Sequence, residues 1–347
     1  MIKITTLLYI LIALFLFGIL VFIHEGGHFL FARLCGVEVK EFSIGMGPQL
    51  ISRTSKKTKT KYGLRLLPIG GFVSMDGEDE DSENPNAFCN KSVPKRMLIV
   101  IAGAVINIIF GFIIMFVLVF SQKTLISNTI GEFNEGAMSQ TKLMVNDRIV
   151  RVDNTRVHTG NEVVYEIMNK GDEPVDIVVI RNGEKITVED VIFPNTVESG
   201  VALGQCDFKL YRDSESFLNY TKHAFWRSMS TVKMVYDSIF NLITGKYGLQ
   251  AVSGPVGVTE VVGQAARSSF PTLLYVVSVI SINLGVFNLL PFPALDGGRF
   301  VFLGIEAVRG KPINKKIESY VNFVGIMILF GFMLLVTFKD VFEIIFR

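Results

Sequence analysis

Residues 21–34, "VFIHEGGHFLFARL", contain His24, Glu25 and His28. Four residues apart on a helix, the two imidazoles share one face and can bind a single metal ion. Glu25, adjacent to His24, can reach a water activated by that metal and serve as general base, as in His-Glu-x-x-His zinc hydrolases. The setting makes the pattern specific. Residues Ile4 to Ile23 are almost wholly apolar, and a charged group at mid-bilayer costs about 2.5–3.5 kcal/mol on insertion scales. The structural alternative is a polar trio packed against other helices or lining a cavity.

A catalytic zinc needs a third protein ligand and an open position for water. The other two histidines, His158 and His223, fall in a region of different character, and Cys35, Cys89 and Cys206 lie in loops or in that same region. Among the remaining apolar segments, carboxylates are scarce: Asp296 and Glu306 in the third, none in the second, none in the fourth before Asp340. Asp296 sits in "NLLPFPALDGGRF", where Pro291 and Pro293 must break a helix. Broken backbone at membrane depth is tolerated where it is buried in protein or lines a watery cavity, and Gly297 and Gly298 permit close backbone approach. Asp296 is the expected third ligand, with a simple kink at the aqueous boundary as the alternative. Glu306 is expected to mark the end of its span.

Positioning these groups requires a membrane protein. Half of the 347 residues are hydrophobic and 19% are charged, with a mean hydropathy of +0.44. Four segments, roughly 4–31, 97–120, 272–305 and 320–338, suit the ~20 residues needed to cross a bilayer. The first is too long for a signal peptide and has no small-x-small cleavage site. Lys56, Lys57, Lys59, Lys95 and Arg96 follow the first span, and Arg309, Lys311, Lys315 and Lys316 separate the last two. By the positive-inside rule both loops are cytoplasmic, and 121–270 lies outside. The net charge of +2 gives no sign of a nucleic-acid partner. The cysteines lie far apart, without a C-x-x-C, and no disulfide is expected.

Between the spans the pattern changes. "LRLLPIGGFVSM" (64–75) alternates around Gly70 and Gly71 and reads as short β segments in hairpins. Residues 121–206 carry β-rich runs and Asn-Gly or Asp-Asn turns, with a helix expected at 161–169. In 214–245, Phe225, Met229, Val232, Tyr236, Ile239 and Ile243 recur at 4, 3, 4, 3 and 4, one face of an amphipathic helix suited to the membrane surface or to packing on the β domain. The expected division is 1–120 and 271–347 as membrane core, 121–206 as the inserted β domain, and 207–270 as a helical linker.

"HEGGH" at 24–28 together with "NLLPFPALDG" at 288–297 and Asn283 resembles the site-2 protease family of intramembrane zinc metalloproteases, in its bacterial regulator-of-sigma-E protease group. "LPIGGFVSM" at 67–75 is similar to that group's membrane-associated β-loop, and "SGPVG" at 253–257 to its stretch before the third span. The resemblance implies an α-helical multi-pass protein of about four transmembrane helices, with that β-loop and one inserted extracytoplasmic PDZ-like domain. It implies a bacterial cell membrane, an active site towards the cytoplasm, Zn²⁺ on His24, His28 and Asp296, and Glu25 as the base. Asn288 and Asn283 would hold substrate, and Gly70 and Gly71 would lie in an edge that binds it as an added strand. The implied substrates are single-pass transmembrane proteins, such as trimmed anti-sigma factors or remnant signal peptides. Two other readings compete: a non-catalytic PDZ-bearing receptor with a structural zinc, and a metal transporter. Three candidate ligands leave one position open, unlike a structural site, and one cluster is not a transport path.

Overall fold

The computed structural model describes residues 4–346 except 79, 124, 199–200, 246–247 and 249–251. The chain forms two compact units, Met1–Gly111 with Val252–Arg347, and Phe112–Ala251. Helices within Tyr9–Leu34, Val93–Gln122, Phe270–Asn288 and Lys315–Phe342 are long and apolar enough to cross a membrane, so the protein is a multi-pass membrane protein with β structure between its spans.

The first unit begins with α1 (Ile4–Leu34), a continuous helix with Arg33 in its last turn, followed by the left-handed Gly36. Strands β1 (Val39–Thr54) and β2 (Lys61–Met75) follow as one antiparallel pair. They are longer than the short hairpins expected from the sequence. Gly45, Gly47 and Gly70 take positive φ, and repeated register shifts interrupt the ladder. Each irregularity breaks the two-residue period that marks a strand. Helix α2 (Val93–Gln122) is the second span. Val37, Val39, Met75, Phe88 and Ile99 form a core that joins the β-pair to the helices.

The expected third span, 272–305, is two helices. The crossing helix stops at Asn288, and a separate helix starts at Asp296. Pro291 and Pro293 lack the N–H groups that helical bonding needs, and the intervening chain closes short turns instead, such as Phe292 N to Leu290 O at 2.7 Å. A Cβ on Gly297 would collide with the carbonyls of Leu289 and Leu290, and one on Gly298 with that of Phe292. Glycine is required at both places because the loop lies directly on the start of the next helix.

The second unit holds a five-strand path with one short appended strand, formed by β3 (Ile126–Phe133), β4 (Arg148–Val152), β5 (Thr155–Arg156), β6 (Val175–Arg181), β7 (Glu184–Val191) and, beyond the hairpin β8 (Asn195–Glu198) and β9 (Val201–Gly204), β10 (Phe208–Arg212). The order is β10-β3-β4-β6-β7, with β5 paired to β4. Helix α3 (Gly160–Lys170) starts at a capping box in which the Glu162 carboxylate accepts from Thr159 N at 2.9 Å, satisfying N-terminal donors that a helix leaves unmet. Ile130, Ile149, Val163, Ile167, Ile177 and Val179 make the core. Helix α4 (Phe217–Ile243) begins at Ser216, whose hydroxyl accepts from Asn219 N.

In the first unit, α5 (Pro255–Ser268), α6 (Phe270–Asn288), α7 (Asp296–Arg309) and α8 (Lys315–Phe346) complete the chain. The buried Asp340 carboxylate of α8 accepts from Gly254 N and Gly257 N, each at 2.9 Å, capping α5. The stretch "SGPVG" is therefore a helix start fastened to the last span.

Candidate metal centre and active site

One helical turn of α1 carries His24 and His28, and the first residue of α7 is Asp296. Their ligand atoms converge. His24 Nε2 and His28 Nε2 are 3.2 Å apart, and Asp296 Oδ2 lies 3.3 Å from the first and 3.4 Å from the second. A tetrahedral zinc with bonds of about 2.0–2.1 Å sets its ligand atoms about 3.3 Å apart. Despite these short separations Asp296 Oδ2 makes no hydrogen bond of acceptable geometry and is a buried oxygen without a partner. A buried carboxylate oxygen left so is costly unless a cation meets it. Among the described residues this is the group of three or more His, Cys, Asp or Glu side chains able to hold a metal. The residues fit zinc.

The helix packing behind His28 sets its ring. His28 Nδ1 donates to Ile99 O of α2 at 2.9 Å, which leaves Nε2 as the lone-pair nitrogen facing the centre. Gly103 of α2 makes room, since a Cβ there would strike the His28 ring. Gly27 answers it from α1, because a Cβ on Gly27 would sit 2.7 Å from Ala102 O. Behind His24, the wholly buried Asn107 brings its amide nitrogen to 3.4 Å from Nδ1 while Asn107 Oδ1 has no partner. Turned over, the amide offers that oxygen to a His24 Nδ1–H and leaves His24 Nε2 unprotonated, an orientation assigned from the hydrogen-bond network. In the sequence Asn107 is the polar exception in an otherwise apolar span. Its signal was that burial of an amide in hydrocarbon demands a partner.

Glu25 makes no hydrogen bond or ion pair with a described residue, so its carboxylate is uncommitted. Strand β2 passes beside it: a Cβ on Gly71 would lie 3.3 Å from Glu25 Cγ and 3.0 Å from Ser43 O. Gly70 has φ +83°, against the Met46 side chain. Asn288 donates within its own helix to Leu284 O at 2.9 Å, and Asn283 is half-buried on α6. Glu306 is removed from contention for the metal: Arg96 holds it bidentately at 2.5 and 3.0 Å. His158 and His223 belong to the other unit.

Residues 12–332 match the profile of Peptidase family M50. The chain belongs to that family. A Clostridium acetobutylicum protein named as a zinc metalloprotease is 37% identical over 335 residues, covering 96% of this chain and 97% of that protein. The zinc metalloprotease RasP of Geobacillus kaustophilus is 30% identical, over 94% of this chain and 96% of its own. The regulator of sigma-W protease RasP of Bacillus subtilis is 28% identical, with the same coverage. This M50 protein is accordingly a zinc-dependent metalloendopeptidase of the membrane.

Proposed function

We propose that this protease cleaves peptide bonds within single-pass transmembrane segments, at a centre formed by His24, His28, Asp296 and Glu25. The observation that carries the reading is the convergence of three ligand atoms at 3.2–3.4 Å beside an uncommitted carboxylate. When bound, zinc supplies a Lewis acid that makes water nucleophilic near neutral pH and polarises a carbonyl. His24, His28 and Asp296 hold it, and Asn107 and Ile99 O fix the tautomers of the two imidazoles. Glu25 takes the proton of the attacking water and returns it to the leaving nitrogen.

A transmembrane helix hides its peptide bonds in its own hydrogen bonds, so the substrate must be held extended. Strand β2 around Gly70 and Gly71 adds the substrate as a further strand. Asn288, released from Leu284 O, and Asn283 bond its backbone. The second unit is PDZ-like and extracytoplasmic, and the centre lies towards the cytoplasm. The substrates are trimmed anti-sigma factors, a class supported by the relative named as a regulator of sigma-W protease, or remnant signal peptides. Purified protein in detergent should contain zinc and cut a model transmembrane peptide, with mass spectrometry placing the cut inside the apolar segment. Zinc without cleavage would favour the receptor reading instead.

A further inference from the structure

The second unit contains a cavity of about 390 Å³ lined by Arg148, Arg151, Arg156, Lys185, Lys222 and His158, together with three uncharged residues. No carboxylate lines it. Arg151 and Arg156 stand directly opposite each other across β4 and β5, an arrangement of like charges that destabilises a sheet. Among the described residues, Arg148, Arg151, Arg156 and Lys185 have no ion-pair partner, whereas elsewhere in the same unit Arg181 meets Asp147, Lys209 meets Glu132 and Lys233 meets Glu166. Among the described acids, two touch lining residues, Glu162 at 3.4 Å from His158 and Asp213 beside Lys222, and both have other partners. Glu162 caps α3, and Asp213 accepts from His223 and lies 3.4 Å from Lys222. Four unneutralised cations around one concavity are the mark of an anion site.

The surroundings decide which anion. Asn128, in the cavity wall, follows the end of the second span at Gln122 by six residues of chain. Helix α4 contributes Lys222 and lies along that span, with Phe225 against Phe112, Phe217 against Phe116 and Tyr220 against Phe120. It also exposes Leu218, Met229, Tyr236, Phe240 and Ile243, an apolar stripe of the kind suited to a lipid surface. Trp226 of α4 stacks on His158 with ring centroids 3.5 Å apart and planes within 5°, and tryptophan favours the headgroup level of a bilayer. The cavity thus shares Lys222 with a helix whose apolar stripe suits the membrane and which packs along the end of the second span.

We propose that this cavity holds the phosphate headgroup of an anionic phospholipid, anchoring the second unit to the bilayer surface. The proposal is independent of the catalytic reading. Trp226 is the sole tryptophan and forms part of the site's support, so its fluorescence reports occupancy. The full protein would be reconstituted in phosphatidylcholine vesicles carrying equal mole fractions of brominated phosphatidylglycerol or brominated phosphatidylcholine. The brominated anionic lipid should quench Trp226 about twofold or more better, in keeping with the attraction of clustered cations for such lipids. R148Q/R151Q/R156Q should abolish the difference while keeping native far-UV circular dichroism, and R148K/R151K/R156K should retain part of it. The control K123Q/K209Q/R212Q removes equal charge from exposed positions outside the cavity and should leave the preference intact. Equal quenching by the two lipids in the native protein overturns the proposal, as does loss of preference in the control, which means diffuse attraction. Displacement by soluble glycerol phosphate would make the ligand a free phosphoester. Displacement by an acidic peptide would make it a protein segment.

Discussion

His28 occupies its place because Gly103 has no side chain. Gly103→Ala should drive the imidazole from the centre and lower zinc content, measured by elemental analysis of purified protein. Full zinc occupancy in that variant would show that the two helices yield. Asn107→Ala should weaken zinc binding about 10- to 100-fold, the usual effect of losing a partner behind a metal ligand. Chelator competition reads this directly, and unchanged affinity would remove Asn107 from the account. Asp296→Asn should cost more, since a neutral amide is a poor zinc ligand, and zinc should be lost on dialysis. The proposed ligands are legible in the sequence, because a four-residue interval fixes a common helix face and few carboxylates compete. Gly103 and Asn107 are not. Apart from Asn107 their span is apolar on every side, so periodicity carries no information about which face meets α1.

Where a helix stops decides which residue reaches the metal. Proline chemistry makes the break near residue 291 readable, but the sequence does not reveal what braces it. Ala294, with φ +76°, donates its N–H to Asn322 Oδ1 at 3.1 Å, and Gly325 lets Pro293 rest against α8. These contacts join residues far apart in the chain. The sequence of the β-pair reads as short hairpins for a related reason, since bulges at Gly45, Gly47 and Gly70 interrupt its alternation. Asp340 belongs to the same scale. Asp340→Ala would leave Gly254 N and Gly257 N without their acceptor, a loss of about 2–4 kcal/mol for two charge-assisted bonds near full burial. A lower thermal midpoint in detergent, with zinc retained before unfolding, is the expected result. An unchanged midpoint would mean that water satisfies both amides.

Four spans and a basic-loop bias are properties of composition and are readable in the sequence. The site between spans is a property of packing. Membrane orientation is tested by cysteines introduced at Lys57, Lys315 and His158 in an otherwise cysteine-free protein. Membrane-impermeant reagent applied from outside should modify the one at 158 and spare the other two, and the reverse pattern would invert the topology. On the proposed mechanism proteolysis is likewise an act of the whole molecule, requiring metal, base and extended substrate together. The most direct test of that claim is Glu25→Gln, purified beside the native protein. Equal zinc content is expected in the two proteins, with cleavage of the model transmembrane peptide by the native one alone. Substantial turnover by Glu25→Gln, with contaminating protease excluded, would contradict it.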